Sequence, residues 1–165
     1  MNSYYNIIAQ KIQGHEQAKQ TIQQWKKQSK SIVFTNGCFD LIHLGHLYYL
    51  AEAASLGDRL VVAVNSDNSV KNLKGINRPI KNQETRMNLL ASLAVVDMVI
   101  LFDETTPLQL IEAIVPDVLV KGGDWRTEDI VGSDIVLKNN GRVESLSFVE
   151  GNSTTALIEK IQLGQ

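Results

Sequence analysis

Three observations predict an α/β fold, a three-layer α/β/α sandwich around a parallel sheet of about five strands. From Ser31 onward, apolar runs of strand length alternate with patterns of helical period. The runs are continuously apolar, as strands covered on both faces require, and helices long enough to serve as crossovers separate them. The chain has 165 residues, 44% hydrophobic and 21% charged, which suits one domain with a substantial core and leaves no room for a second catalytic domain.

Residues 1–30 are polar and Gln-rich, with Ile7, Ile8, Ile12, Ile22 and Trp25 as apolar anchors. They predict a helical arm interrupted near Gly14, packed on the domain or on a second subunit in a homodimer. Residues 31–165 form the domain proper. Its first strand is Ser31 to Thr35 (SIVFT), and Leu47, Leu50, Ala51, Ala54 and Leu56 then recur at helical spacing over 44–56. A strand at 59–64 (RLVVAV), a helix over 82–94 and a strand at 97–102 (DMVILF) follow. A helix from Thr106 to Val115, a strand at 117–122 (DVLVKG) and a strand at 142–148 (RVESLSF) complete the sheet. A last helix carries Ala156, Leu157, Ile158 and Ile161 on its apolar face. Two long polar connections, 65–81 and 122–134, read as loops, and loops of that length are more often functional than idle. The crossovers should be right-handed, and a ligand should lie outside the carboxyl ends of the strands where their order reverses.

Bulk properties exclude several classes. The net charge of -2, from 16 basic and 18 acidic residues, advertises neither nucleic acid nor an anionic membrane, so any anion site must be local. Cys38 is the only cysteine, which excludes an intramolecular disulfide and suits a reducing compartment. No run approaches the ~20 apolar residues of a membrane span, and the N-terminus lacks the pattern of a secretory signal. The expectation is a soluble cytoplasmic protein.

The richest stretch is Asn36 to His46 (NGCFDLIHLGH), where the first strand hands over to a helix. Gly37 and Gly45 remove side chains where a ligand would approach the backbone, and the free amides at a helix start favour an anion. His43 and His46 share one face of the first turn and can donate to phosphate oxygens. Phosphoryl and nucleotidyl transfer need positioned donors rather than a covalent nucleophile, so two imidazoles there make chemical sense. The plain alternative is a backbone-bonded His43 and a satisfied buried His46. Two histidines with only Asp40 nearby make a poor zinc site. Lys71, Lys74 and Arg78 fall in the first long connection, where a mobile basic segment could neutralise pyrophosphate, or simply be solvated. Ser153, Thr154 and Thr155 offer hydroxyls and amides at a helix start, a second anion cradle or an ordinary N-cap.

GCFDLIHLGH resembles the signature G-x-F-D-x-x-H-x-G-H of the nucleotidyltransferase superfamily that includes glycerol-phosphate cytidylyltransferase and pantetheine-phosphate adenylyltransferase. The similarity continues through LKGINRP (73–79), QETRM (83–87), DVLVKGGDW (117–125) and EGNSTT (150–155), and covers nearly all of 31–161. Within the superfamily the chain most resembles the adenylyltransferase domain acting on D-glycero-β-D-manno-heptose 1-phosphate in ADP-heptose synthesis for bacterial lipopolysaccharide. That resemblance implies a Rossmann-like fold, ATP and heptose 1-phosphate as partners, and Mg²⁺ carried with the nucleotide. In many bacteria the domain is fused behind a sugar kinase; here the resemblance implies a stand-alone transferase supplied by a separate kinase.

By the same resemblance His43, His46 and Lys74 are the catalytic candidates. Gly37, Cys38, Phe39, Gly45 and Ser153 to Thr155 would hold the nucleotide. Asp40, Asp67, Arg78, Arg86, Lys121 and Asp124 are sugar-phosphate or secondary candidates, with Lys121 a cation for an anionic acceptor. Arg86 could equally be a salt-bridge residue, and Asp124 and Trp125 could be loop structure. No metal-binding residue is assigned. Two departures stand out: cytidylyltransferases usually have Thr at Cys38 and Arg at Phe148, and the second counts against that subgroup. The competing readings are a cytidylyltransferase acting on glycerol 3-phosphate or a similar alcohol, and a catalytically silent nucleotide-binding module. A dinucleotide-binding domain ranks last, because no G-x-G-x-x-G opens the first helix.

Overall fold

The computed structural model describes residues 3–147, 158, 160, 161, 163 and 164. In chain order the elements are α1 (Tyr4–Lys11), α2 (His15–Lys27), β1 (Ile32–Gly37), α3 (Leu44–Ala54), β2 (Arg59–Asn65), α4 (Asp67–Lys74), α5 (Gln83–Ser92), β3 (Met98–Phe102), α6 (Leu108–Ile114), β4 (Val118–Gly122), α7 (Ser133–Lys138) and β5 (Arg142–Leu146). The five strands are all parallel, in the order β3-β2-β1-β4-β5. The chain runs outward from β1 to β3 and returns to β4, so strand order reverses between β1 and β4. Gly37 lies opposite Val64 and Thr35 opposite Val120, and the carboxyl ends of the three central strands therefore finish together.

Continuous apolar runs become two cores through the alternation of side chains along a strand. Ile32, Phe34, Val61, Ala63, Met98, Ile100 and Leu119 face one layer, against Ala18, Ile22 and Ile111. Val33, Val62, Val64, Val99, Val118 and Val120 face the other, against Leu50, Ala53, Leu90 and Ala91. Each fully buried Val, Leu, Ile, Phe or Met among them contributes roughly 1.5–3 kcal/mol relative to exposure.

The N-terminal segment packs on its own chain. Ala18 and Ile22 of α2 enter the core, and Ile12 and Gln13 run alongside Val99, with the Gln13 amide donating to the Val99 carbonyl at 3.0 Å. That contact covers the outer edge of β3, which an unpaired strand edge requires. Lys11 donates to the Leu93 carbonyl (3.1 Å) and Lys26 to the Ile114 carbonyl (3.0 Å), capping the carboxyl ends of α5 and α6.

The expected 65–81 loop is in part a helix. Ser66 caps α4 by accepting from the Ser69 amide (3.0 Å), Asp67 sits in its first turn, and Val70 is its buried apolar anchor. At eight residues the helix is too short for its period to stand out, and its polar composition reads as loop. The second connection likewise closes on α7, anchored by Val136 and Ser133. Among the described residues no helix is long and apolar enough to cross a membrane.

Candidate active site

The carboxyl end of β1 leads into a tight turn whose conformation is fixed by Phe39, which adopts a left-handed φ of 48°. A Cβ at Gly37 would lie 3.0 Å from the Phe39 ring, so the missing side chain makes room for that ring rather than for a ligand. The ring in turn packs on His46 (centroids 5.4 Å apart), and His46 lies against His43 at 4.0 Å. His43 is the N-cap of α3 but makes no side-chain capping bond, which frees its imidazole. Gly45 is buried between the two histidines in that first turn.

Both Nδ1 atoms are buried and have no hydrogen-bond partner among the described residues. A buried polar atom left unpaired costs about 1–3 kcal/mol, so a cluster of two marks a place prepared for polar ligand atoms. Burial pushes the His43 pKa down, and burial followed by the neighbouring His43 pushes His46 down to about 4. The imidazoles are therefore neutral at pH 7, each with one donor and one acceptor nitrogen.

A carboxylate and a guanidinium outside the histidine pair hold the turn. Asp40 is 2% exposed and accepts from Arg78 Nε (2.7 Å), the Ile80 amide (2.8 Å) and the Lys81 amide (2.9 Å). Burial pushes its pKa up, but the Lys81 and Ile80 amides and the Arg78 guanidinium outweigh burial and the net shift is downward. Arg86 is fully buried, and donates to the Cys38 carbonyl (2.5 Å), the Lys81 carbonyl (3.0 Å) and Asp67 (2.9 Å). Asp40 and Arg86 thus tie the turn after β1 to the 78–81 segment and to the start of α4. Both are positioning residues.

Above the turn lies a cavity of about 530 Å³. Gly37, Cys38, Phe39, Asp40 and His46 form one side of it. Lys74, Arg78 and Lys121 bring positive charge, while Thr105 to Pro107, Trp125 and Ile130 form the outer walls. Lys74 arrives at the last turn of α4, just before Gly75 at a φ of 96°. Lys121 arrives from the end of β4 and donates to Asn36 Oδ1 at 3.4 Å. Burial pushes the Cys38 thiol up, against the pull of Lys74, Arg86, Arg78 and Lys121.

The structure therefore gathers eight of the sequence candidates on one cavity: Gly37, Cys38, Phe39, Asp40, His46, Lys74, Arg78 and Lys121. His43 is not among the lining residues, and its ring lies 4.0 Å from that of His46, which is. Asp67 and Arg86 pair with each other beneath the turn and do not line the cavity, and Asp124 is exposed outside it. Ser153, Thr154 and Thr155 lie outside the described residues. Sequence reasoning missed Asn36, Asn65, Tyr49 and the 105–107 and 129–131 walls. Asn36 and Asn65 carried a signal, since each is a polar residue ending an apolar strand on the ligand side of the sheet. Tyr49 is a buried phenol bonded to Thr35 and to the Val120 carbonyl (3.4 Å), with its pKa pushed up to about 12 by burial.

Comparison with known proteins finds relatives over most of the chain. The chain is 54% identical over 152 residues to the bifunctional protein HldE of Haemophilus influenzae, and 48% identical over 151 residues to HldE of Syntrophotalea carbinolica. Each match covers 92% of this chain but only 32% and 31% of the relative, so the chain spans about a third of the length of these curated relatives. A crystal structure of the lipopolysaccharide core biosynthesis protein from Thermoplasma volcanium superposes with a TM-score of 0.61 at 31% identity, covering 74% of this chain and 99% of that one. The cytidylyltransferase-like family model matches residues 34–159, from the middle of β1 through the histidine turn and every later strand, and the chain belongs to that family.

Proposed function

We propose that the chain is an adenylyltransferase that moves AMP from ATP to D-glycero-β-D-manno-heptose 1-phosphate, giving ADP-heptose and pyrophosphate. The observation that carries the reading is the histidine pair, with two buried unpartnered nitrogens, beside a cavity edged by Lys74 and Lys121. Similarity to HldE supports the heptose substrate and ATP. A reaction that consumes ATP supports a cytoplasmic location.

An oxygen of the sugar phosphate attacks the α-phosphorus as the bond to the bridging oxygen of pyrophosphate breaks, so no covalent enzyme intermediate forms. His43 and His46 donate to the α-phosphoryl oxygens, where charge shifts in the transition state. Neutral donors held against each other lose no solvent shell at that moment, which is the source of their catalytic effect. Lys74, exposed and on the end of a short helix, follows the pyrophosphate as it leaves. Asp40 and Arg86 hold the turn against the basic segment so that these donors stay in register.

Mg²⁺ supplies charge neutralisation on the phosphate oxygens when bound. The described residues contain no group of three His, Cys, Asp or Glu side chains that could hold it, and Asp40 is already committed to three donors. The ion would be carried on the triphosphate, as Mg²⁺ commonly is. The test is pyrophosphate release across four nucleotides with heptose 1-phosphate and glycerol 3-phosphate. ATP with heptose 1-phosphate should be the productive pair. Turnover only with CTP and glycerol 3-phosphate would overturn the reading.

A further inference from the structure

Asn65 ends β2, lines the cavity and is only 3% exposed, yet it takes no part in the chemistry described above. Its Nδ2 donates to Ser69 Oγ at 3.0 Å, and Ser69 Oγ in turn donates to the Glu104 carbonyl at 3.0 Å. A carbonyl oxygen can only accept, so the one hydroxyl proton of Ser69 is committed to Glu104, and toward Asn65 that hydroxyl can only accept. This fixes which way round the amide sits. Its NH₂ faces Ser69, and Oδ1 is turned to Cys38, itself a lining residue, whose thiol at 3.9 Å is the one partner of Oδ1 among the described residues. A thiol is a weak donor, so a buried carbonyl oxygen with two lone pairs is left with unused accepting capacity at the cavity wall.

Which group it takes follows from chemistry and from place. An acceptor oxygen calls for a proton donor, which excludes the ionised phosphates of either substrate and leaves a hydroxyl or an amino group. Asn65 lies on the side of β1 that carries β2 and β3, and the segment after β3 brings the Thr105 and Thr106 hydroxyls to the same side of the cavity. On the other side of β1, the segment after β4 supplies Trp125, Ile130 and Val131. Amide and hydroxyl groups match a ring that bears many hydroxyls, whereas an aromatic and aliphatic wall matches a flat base.

We infer that Asn65, oriented by Ser69, is a specificity-determining residue that accepts a hydrogen bond from a hydroxyl of the acceptor sugar. The inference rests on the adenylyltransferase reading above. It gives the enzyme a means of rejecting a phosphorylated alcohol that lacks the matching hydroxyl, because binding one would leave Oδ1 buried without a strong donor.

The test is steady-state kinetics with heptose 1-phosphate and the series of its monodeoxy analogues, each lacking one hydroxyl. In the wild type, kcat/KM should fall about 10- to 100-fold for at least one analogue, the cost of leaving a buried acceptor unpaired. Asn65→Leu removes the acceptor and leaves Ser69 bonded to Glu104, so thermal unfolding should show a folded protein. In that variant KM for heptose 1-phosphate should rise by a similar factor, with KM for ATP changed less than about 3-fold, and the sensitive analogue should be used as well as the parent sugar. A merely structural asparagine would not lose that discrimination. Ser69→Ala, which touches no substrate and frees the amide to turn, should weaken the discrimination without abolishing it. Undiminished discrimination in folded Asn65→Leu, or a rise in KM confined to ATP, would overturn the inference and leave the adenylyltransferase reading standing. Should that variant not fold, wild type that uses every analogue within about 3-fold of the parent, or Ser69→Ala that discriminates as sharply as wild type, would overturn it equally. Wild-type protein that releases no pyrophosphate with ATP and heptose 1-phosphate would overturn both.

Discussion

Replacing Asp40 by Asn should cost both stability and turnover, through contacts that no substrate touches. The carboxylate is 2% exposed and accepts from Arg78 Nε, the Ile80 amide and the Lys81 amide. Asn offers one acceptor oxygen in place of two and turns an NH₂ toward groups that are themselves donors. Whichever oxygen Asn keeps still meets two of the three donors, so one bond is lost. With the carbonyl on the Ile80 and Lys81 amides it is the charge-assisted Arg78 bond, roughly 1.5–3 kcal/mol, and Arg78, 18% exposed, is left facing an NH₂ with a partly desolvated charge. The expected destabilisation is about 3–4 kcal/mol, near the range for breaking a buried ion pair and a large part of the ~5–15 kcal/mol that holds a domain together. Because the Asp40 pKa is lowered in the fold, its contribution is present above the ordinary value of 3.8 and is lost as pH falls through the folded value. The gap between wild type and Asp40→Asn, read as urea midpoints at constant m-value, should therefore be full at pH 7 and narrow below pH 3.8. In the surviving folded fraction kcat should fall, since the Arg78 segment and the histidine turn no longer share an anchor. An Asp40→Asn protein within about 0.5 kcal/mol of wild type at pH 7 would refute the claim that this carboxylate holds the turn.

His46→Ala should lower kcat about 10²- to 10³-fold with the fold and ATP binding kept, measured by pyrophosphate release and thermal unfolding; near-normal turnover would remove His46 from the chemistry. Since His46 is held neutral down to about pH 4, its protonation should leave kcat flat between pH 5 and 8, and an acid limb with a midpoint near the ordinary histidine value of 6.5, absent in His46→Gln, would contradict that state. Cys38, whose thiol is pushed up by burial, should alkylate slowly and be shielded by ATP, and equal labelling at pH 8.5 with and without nucleotide would place the thiol away from the phosphates.

The strands and most of the helices were legible because their signal is local. A run such as Leu60 to Val64 is apolar on both faces, and the structure divides it between two cores by simple alternation. Short helices with one anchor were not legible, and α4 was lost among its polar neighbours although Ser66 and Asp67 are good N-terminal signals. At the site, the histidine turn could be read because its residues are adjacent in sequence. Arg86 could be read as a salt-bridge residue, which its pairing with Asp67 matches, but the positioning role of Asp40 and the reach of Arg86 to a carbonyl 48 residues away could not. The outer walls were hidden for the same reason. Thr105 to Pro107 and Asp129 to Val131 carry no motif and meet through packing of the 129–132 segment over α6, where a Cβ on Gly132 would come within 2.8 Å of Ile111.

The chain's near-neutral charge conceals how its charges are used. Of the acidic groups around the histidine turn, Asp40 is committed to Arg78 and two backbone amides, and Asp67 to Arg86. Those pairs lie at or beneath the turn and fix its shape. What they leave over in the cavity is Lys74 and Lys121, neither in an ion pair among the described residues, together with two neutral imidazoles. The cavity-lining Asp129 is exposed on the outer wall. A site that meets several phosphates needs this division, because a cation already neutralised by a carboxylate has little field left for an anion, whereas an unpaired one at the edge of a low-dielectric pocket has most of it. A charge swap that leaves net charge untouched should therefore damage the site more than one that changes it elsewhere. Exchanging Lys121 and Asp124 in one variant keeps the total at -2 and puts a carboxylate into the cavity, and acceptor binding should be lost. Adding a carboxylate at exposed Lys27, which changes the total, should leave it intact. Equal effects of the two would mean that bulk charge governs binding, and the pairing pattern would then have no functional meaning.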